Sequence, residues 1–144
     1  MAYTPFRGSI PADRLYDTRS DMWVRRAGVE VVIGATSFGL FLAGTLIAFT
    51  AKPRGATVAV GRGLGTVESS KTVLAVHSPL SVELLAINEA AEEHPGIIND
   101  DPYHAGWMVS GRALAWSEES GALVDDRAYI AHVRAIEPDA VIAP

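Results

Sequence analysis

The segment at residues 65–79 constrains the fold most, because its two short apolar stretches meet at a polar tip that carries one lysine, Lys71. Short runs rich in valine that flank a polar turn predict a β-hairpin. Val67 and Val73 are expected to anchor the hairpin on either side of the tip, with Ala75 as a further anchor. A primary amine held there is accessible to an enzyme that acylates lysine. From its spacing alone, though, such a lysine is more often an ordinary solvated side chain.

Small polar residues surround this lysine and leave its amine open. Ser69 and Ser70 precede it, and Thr72 follows it. Glu68 adds a negative charge that a modifying enzyme can recognise. The candidate site is therefore Lys71 with Glu68, Ser69 and Ser70 as recognition residues, and no residue is assigned a catalytic role.

The remaining chain predicts a mainly β fold, because short apolar runs alternate with glycine and proline turn signals from residue 15 onward. Helix signals are few, and they are marked by residues that can cap a helix N-terminus. The candidate caps are Thr36 or Ser37, Asn88, and Asp125 or Asp126. Tyr129, Ile130 and Val133 follow the last cap at helical spacing and predict a C-terminal helix.

Three regions are expected along the chain. Residues 1–14 contain Pro5 and Pro11 and are predicted to be a flexible leader. Residues 15–136 form one domain, and residues 137–144 lack periodicity and are predicted to be a flexible tail.

Composition excludes several classes of function. The 144 residues carry a net charge of -5 and include no cysteine. Negative charge disfavours binding to nucleic acid or to anionic lipid. Without cysteine there is no disulfide framework and no thiolate metal site. The four histidines are scattered without metal-ligand spacing, so no metal site is predicted.

One apolar stretch qualifies by length as a membrane span. Residues 31–51 carry no charged side chain and follow Arg25 and Arg26. Glycine, threonine and serine interrupt the stretch, however, and favour a strand, a short helix and a second strand. We therefore predict no membrane span. Because no apolar signal segment lies near the start, a cytoplasmic location is expected.

Several motifs in register resemble glycine-cleavage H proteins. The hairpin sequence Val-Glu-Ser-Ser-Lys at residues 67–71 is similar to their lipoylation pattern, Val-Glu-Ser-x-Lys. The likeness covers roughly residues 15–134. Further matching motifs lie at residues 23–24, 33–36, 78–81, 88–91, 99–103, 106–107 and 125–133.

This resemblance implies a barrel-sandwich, or hammerhead, lipoyl domain with short helices and a C-terminal helix. It also implies lipoate joined covalently to Lys71 by a lipoate ligase or lipoyl transferase. The protein is then a non-catalytic carrier, a substrate of its partner enzymes, with dihydrolipoamide dehydrogenase among them. A biotin carrier is disfavoured because that class flanks its lysine with methionines.

Several residues depart from the H-protein pattern. Asp21 stands where the family has histidine, Thr45 and Thr50 stand at carboxylate positions, and Lys52 and Arg54 add positive charge. With these departures the chain more closely resembles lipoate-binding proteins of bacterial sulfur oxidation, which work with a heterodisulfide-reductase-like complex. The expected cargo is accordingly a sulfur intermediate. Two alternatives remain open: an aminomethyl carrier serving glycine decarboxylase and aminomethyltransferase, and an unmodified scaffold.

Overall fold

A computed structural model describes residues 3–144 as short strands and short helices in one body. The strands are β1 (Arg7–Ser9), β2 (Leu15–Asp17), β3 (Met22–Ala27), β4 (Glu30–Ala35), β5 (Leu46–Ala51), β6 (Thr57–Val58), β7 (Gly63–Ser69), β8 (Val73–His77), β9 (Val82–Ile87), β10 (Val109–Ala113) and β11 (Val141–Ala143). The helices are α1 (Ser37–Ala43), α2 (Glu89–Glu93), α3 (Gly96–Asp100), α4 (Trp116–Glu119) and α5 (Asp126–Ile136), with a 3₁₀ turn at Ser120–Ala122.

Two sheets share the main core. One has the strand order β2-β3-β4-β10-β9-β6 and the other has the order β5-β7-β8. Buried side chains from both sheets belong to one cluster, including Ile33 and Val109 of the first and Phe49, Leu64 and Val67 of the second. The arrangement confirms the predicted mainly β barrel-sandwich with short helices and a C-terminal helix.

The helix boundaries follow from local capping. The Thr36 hydroxyl accepts a hydrogen bond from the Gly39 amide at 3.0 Å and begins α1. The Asn88 side chain caps α2, and Asp125 caps α5 by accepting from the Ala128 amide at 2.9 Å. Each cap was predicted from the sequence, and α5 buries Tyr129 as its spacing indicated.

Residues 31–51 form most of β4, then α1 and then β5. Within residues 3–144, no helix has both the length and the apolar character needed to cross a bilayer. The uncharged stretch thus supplies core side chains, among them Phe38 and Phe49.

The two ends differ from the expected flexible leader and tail. Strand β1 pairs in parallel with β11, with Arg7 opposite Val141, and together they form a small separate sheet. Phe6 and Ile10 are buried beside this pair, and the Phe6 ring meets Phe38 edge-on at 5.3 Å. Single apolar residues among polar ones carry no periodicity, so their burial was not predicted. Residues 1 and 2 of the expected leader lie outside the described part.

Candidate functional site

Lys71 lies at the apex of the β7–β8 hairpin. Glu68 pairs with Val73 across the two strands, and the chain reverses through residues 70–72. The amide of Ser69 donates to the carbonyl of Thr72 at 2.9 Å and closes the turn. The side chain of Lys71 is exposed, as its position at a polar tip predicted.

The predicted recognition residues occupy two different environments. Glu68 and Ser70 are exposed. Ser69 is buried, and its hydroxyl accepts a hydrogen bond from the Lys71 amide at 3.2 Å. That hydroxyl therefore shapes the turn from inside and is not presented to another protein.

The anchors of the hairpin also differ from prediction. Val67 is buried, but Val73 is 62% exposed and Ala75 is exposed as well. The reason is strand register, because Val73 lies opposite the exposed Glu68 and Ala75 lies opposite the exposed Thr66, on the outer face of the sheet. Close to the apex, the hairpin is thus anchored by the buried Val67 and Ser69 of β7.

The lysine side chain runs past the end of α1. A Cβ atom built on Gly44 would lie 3.6 Å from Cε of Lys71 and 3.9 Å from its Nζ. Gly44 ends α1 with φ of +92°, a conformation that favours glycine. Within residues 3–144, no carboxylate lies within ion-pair distance of Lys71. The amine is consequently free to be acylated.

An apolar groove lies beside the hairpin and along α1, with a cavity volume of about 100 Å³. Leu40 and Ala43 of α1 form part of its lining, and the hairpin contributes Val67 and Leu74. An acyl chain with a dithiolane ring is apolar, so a surface of this kind fits it. The residues present here therefore suit a lipoyl group attached to Lys71.

Asp21 lies in the same groove lining and is held by a hydrogen-bond network. Oδ1 of Asp21 accepts from the Tyr129 hydroxyl at 2.8 Å. The Tyr129 oxygen lies 2.7 Å from Oγ1 of Thr36, and Nε2 of His132 is 3.7 Å from Oδ1. The sequence marked Asp21 only as a departure from the family pattern and Tyr129 only as an apolar member of the C-terminal helix.

Burial and hydrogen bonding shift the pKa of the Asp21 carboxylate in opposite directions. Burial, the largest cause, raises the pKa of Asp21 above its usual value, while the Tyr129 hydrogen bond and the nearby His132 oppose that increase. Burial also raises the pKa of Tyr129, which therefore remains a protonated donor.

In the part of the chain that the structure describes, no three His, Cys, Asp or Glu side chains form a cluster able to hold a metal ion. The site consists of the exposed Lys71 amine, the apolar groove and the hydrogen-bonded carboxylate of Asp21. Such a site can present an attached group, and its described residues include no paired nucleophile and base.

Comparisons with known proteins agree with this geometry. The family model described as Glycine cleavage H-protein matches residues 14–136. The chain is 36% identical over 120 residues to glycine cleavage system H protein 5 of Aquifex aeolicus (strain VF5), covering 81% of each chain. It is 39% identical over 123 residues to the glycine cleavage system H protein of Nitratidesulfovibrio vulgaris (strain DSM 19637 / Miyazaki F), covering 85% of this chain and 96% of that one.

A solved structure is similar as well. The crystal structure of a glycine cleavage system H protein from Mycobacterium marinum superposes with a TM-score of 0.76 at 33% identity, covering 85% of this chain and 97% of that one. The residues matched by the family model, 14–136, include the lysine hairpin. This chain therefore belongs to the glycine cleavage H-protein family, whose members are non-catalytic carriers with lipoate covalently attached to a lysine.

Proposed function

We propose that this protein is the aminomethyl carrier of a glycine cleavage system, with its lipoyl arm attached to Lys71. The arm would pass its cargo from glycine decarboxylase to aminomethyltransferase, and dihydrolipoamide dehydrogenase would reoxidise it. The observation that carries the proposal is the exposed Lys71 amine at a hairpin apex beside an apolar groove. The names of the relatives favour this system among those that use lipoyl carriers.

The protein holds the attachment point in place and shields the lipoyl arm from water. A bound lipoyl group supplies a disulfide that is reduced by two electrons as one sulfur takes up the cargo. The hairpin keeps the attachment point in a defined place, which raises the effective concentration of cargo at each partner. The groove lining, including Leu40 and Leu74, shields an apolar arm from water.

This assignment replaces the sulfur-oxidation function expected from the departures at Asp21, Thr45 and Lys52. Neither the relatives' names nor any feature of the site supports a heterodisulfide-reductase-like partner. Thr45 and Lys52 are exposed, where a change of charge alters a docking surface but leaves the attachment point intact. An unmodified scaffold is disfavoured, since nothing in the described chain occupies the Lys71 amine.

Intact mass of the protein purified from its native host tests attachment. We expect the mass increment of one lipoyl group, its loss in Lys71→Arg, and its retention in the control Lys52→Arg, which changes an exposed lysine away from the hairpin tip. An unmodified wild-type protein, or a lipoylated Lys71→Arg variant, would refute the attachment.

A second experiment tests which partner enzymes the protein serves. Lipoylated protein is mixed with purified glycine decarboxylase and aminomethyltransferase, and exchange of labelled bicarbonate into glycine is measured. We expect exchange that depends on lipoylated Lys71. A lipoylated protein that supports no exchange but is reduced by a heterodisulfide-reductase-like complex would restore the sulfur assignment.

Recognition by the lipoate ligase or lipoyl transferase is proposed to depend on Glu68 and Ser70, the exposed members of the tip. Glu68→Gln is expected to slow lipoylation severalfold, because the exposed carboxylate precedes the lysine by three positions. Glu89→Gln, also exposed but on α2, is the matched control. Equal lipoylation rates for the two variants would remove Glu68 from the recognition set.

A further inference from the structure

The two paired ends of the chain lie outside the region that matches the family. The family model covers residues 14–136, whereas β1 precedes that range and β11 follows it. The Nitratidesulfovibrio vulgaris relative and the Mycobacterium marinum structure are covered over 96% and 97% of their own lengths, against 85% of this chain in each match. The role of these two strands is therefore a question about this chain.

The two ends are joined by backbone pairing and by burial. Arg7 lies opposite Val141 in a parallel register, and the Val141 amide donates to the carbonyl of Phe6 at 2.8 Å. Phe6 is only 1% exposed. The N-terminal strand is thus held by a strand from the other end of the chain, and we call residues 6–10 together with residues 140–143 the terminal clasp.

The terminal clasp packs against α1. The Phe6 ring meets the rings of Phe38 and Phe41 edge-on, with centroids 5.3 Å and 5.5 Å away. The Ser37 hydroxyl donates to the carbonyl of Ser9 at 2.8 Å. Aromatic contacts and a hydrogen bond therefore join the clasp to this helix.

Other residues of α1 belong to the lysine site. Leu40 and Ala43 line the apolar groove, and a Cβ atom built on Gly44 would lie 3.6 Å from Cε of Lys71. A helix of seven residues is too short to be stable by itself, so its position depends on what packs against it. Helix α1 consequently connects the clasp to the surroundings of Lys71.

The end of α1 is also tied to the strand beside the lysine turn. The Asn99 side chain donates to the carbonyl of Gly44 at 3.2 Å and accepts from the amide of Leu46 at 2.8 Å. Leu46 lies opposite Ser69, whose hydroxyl accepts from the Lys71 amide. A displacement of α1 would thus reach the lysine through its contact with Gly44 and through the Leu46–Ser69 pair.

We infer that the terminal clasp is a positioning element for the lysine site, with Phe6 as its central positioning residue. The clasp holds α1 in place and keeps the Lys71 tip in one arrangement. That order lowers the entropic cost when the lipoylating enzyme binds the tip. The inference rests on the proposed function, which makes Lys71 the lipoylated residue, and the clasp itself contacts no substrate.

Hydrogen exchange on the unmodified full chain tests whether the clasp holds α1. Val141→Pro removes the amide that donates to Phe6, whereas Val141→Ala keeps it and trims a side chain that is 42% exposed. The Leu40 and Gly44 amides, which close turns of α1, should exchange roughly fivefold faster in Val141→Pro, the factor that one hydrogen bond contributes. They should be unchanged in Val141→Ala, as should the His94 amide at the end of α2 in both variants.

Lipoylation kinetics test whether this support reaches Lys71. A purified lipoate ligase is given saturating lipoate and ATP, and the concentration of the carrier protein is varied. We expect the KM for the carrier to rise roughly threefold in Val141→Pro and in Phe6→Leu with kcat unchanged, because a disordered tip weakens binding alone. Val141→Ala should match wild type. Val58→Ala, in a buried strand residue of the main core, lowers global stability away from the clasp and should also leave KM unchanged.

Exchange of the α1 amides at wild-type rates in both clasp variants would overturn the inference. Equal acceleration at His94 would do the same, because it indicates a loss of global stability. A loosened α1 with an unchanged KM would also overturn it, since the clasp would then not act on the lysine site. Val141 lies close to the chain end, so a folding defect in Phe6→Leu leaves the test intact. Failure of the proposed function has a different signature, because Lys71 would then carry no lipoyl group in the native host.

Discussion

The two strands of the lysine hairpin are adjacent in sequence and similar in composition, yet close to the turn they differ in burial. Strand β7, which leads to the turn, buries Leu64, Val67 and Ser69. Strand β8, which leaves it, exposes Val73 by 62% and Leu74 by 44%. The attachment point is consequently supported along one strand, while the other remains available to contact a partner protein.

Register and sheet position together account for this difference, because Val73 lies opposite the exposed Glu68, whereas Leu74 lies opposite Val67 but on an edge strand. Strand β7 hydrogen-bonds to β5 on one side and to β8 on the other, whereas β8 ends the sheet. A central strand has neighbours on both edges, and an edge strand leaves polar backbone groups and side chains exposed. The comparison predicts that substitutions of the buried residues of β7 destabilise the protein more than substitutions of the exposed β8 residues next to the turn.

The largest effect is expected for Gly65→Ala in β7. An added Cβ would overlap the carbonyl oxygen of Thr50 and lie 2.7 Å from Cα of Ala51, both in the backbone of β5. Backbone cannot move aside as a side chain can, so we expect the free energy of unfolding to fall by roughly 3 kcal/mol. Gly63→Ala is the control, since its nearest contact would be 3.7 Å away. Urea unfolding that shows equal losses would contradict the tight β5–β7 approach.

Val67→Ala should follow in size. The substitution removes two buried methyl groups from the core shared by the sheets, which corresponds to about 2 kcal/mol. Chemical denaturation measures the loss. A change below about 0.5 kcal/mol would show that the core does not depend on this anchor.

Ser69→Ala tests the inner side of the turn. It removes the hydroxyl that accepts from the Lys71 amide, and we expect a loss of about 1 kcal/mol. Hydrogen exchange at the Lys71 amide should become faster in the same variant. Unchanged exchange would mean that this contact does not order the apex.

The smallest effect is expected for Val73→Ala. At 62% exposure the side chain contributes little to burial, so the free energy of unfolding should change by less than about 0.5 kcal/mol. Thermal unfolding beside Val67→Ala provides the direct comparison. If the two variants lose similar stability, the contrast between the strands is wrong.

Local signals accounted for much of the fold. The caps at Thr36, Asn88 and Asp125 depend on a side chain and an amide three residues later, and all three lie where the sequence predicted. The hairpin with Lys71 at its tip was predicted for the same reason, because turn residues and flanking valines are close together in the chain.

Such local signals could not predict contacts between residues that are far apart in the sequence. Tyr129 and Asp21 are 108 positions apart, and packing of α5 against β2, where Tyr129 stacks on Tyr16, brings the phenol to the carboxylate. The pairing of β1 with β11 likewise joins the two ends of the chain, which have no periodic pattern of their own.

From its own residues and their spacing, the chain specified a β-rich domain, the lysine at a turn and the caps of its helices, since these depend on neighbours a few positions away. The folded arrangement added the rest: which hairpin residues are buried, where the groove runs and which side chains contact Asp21. Those properties depend on what each surface packs against, and their partners come from distant parts of the chain.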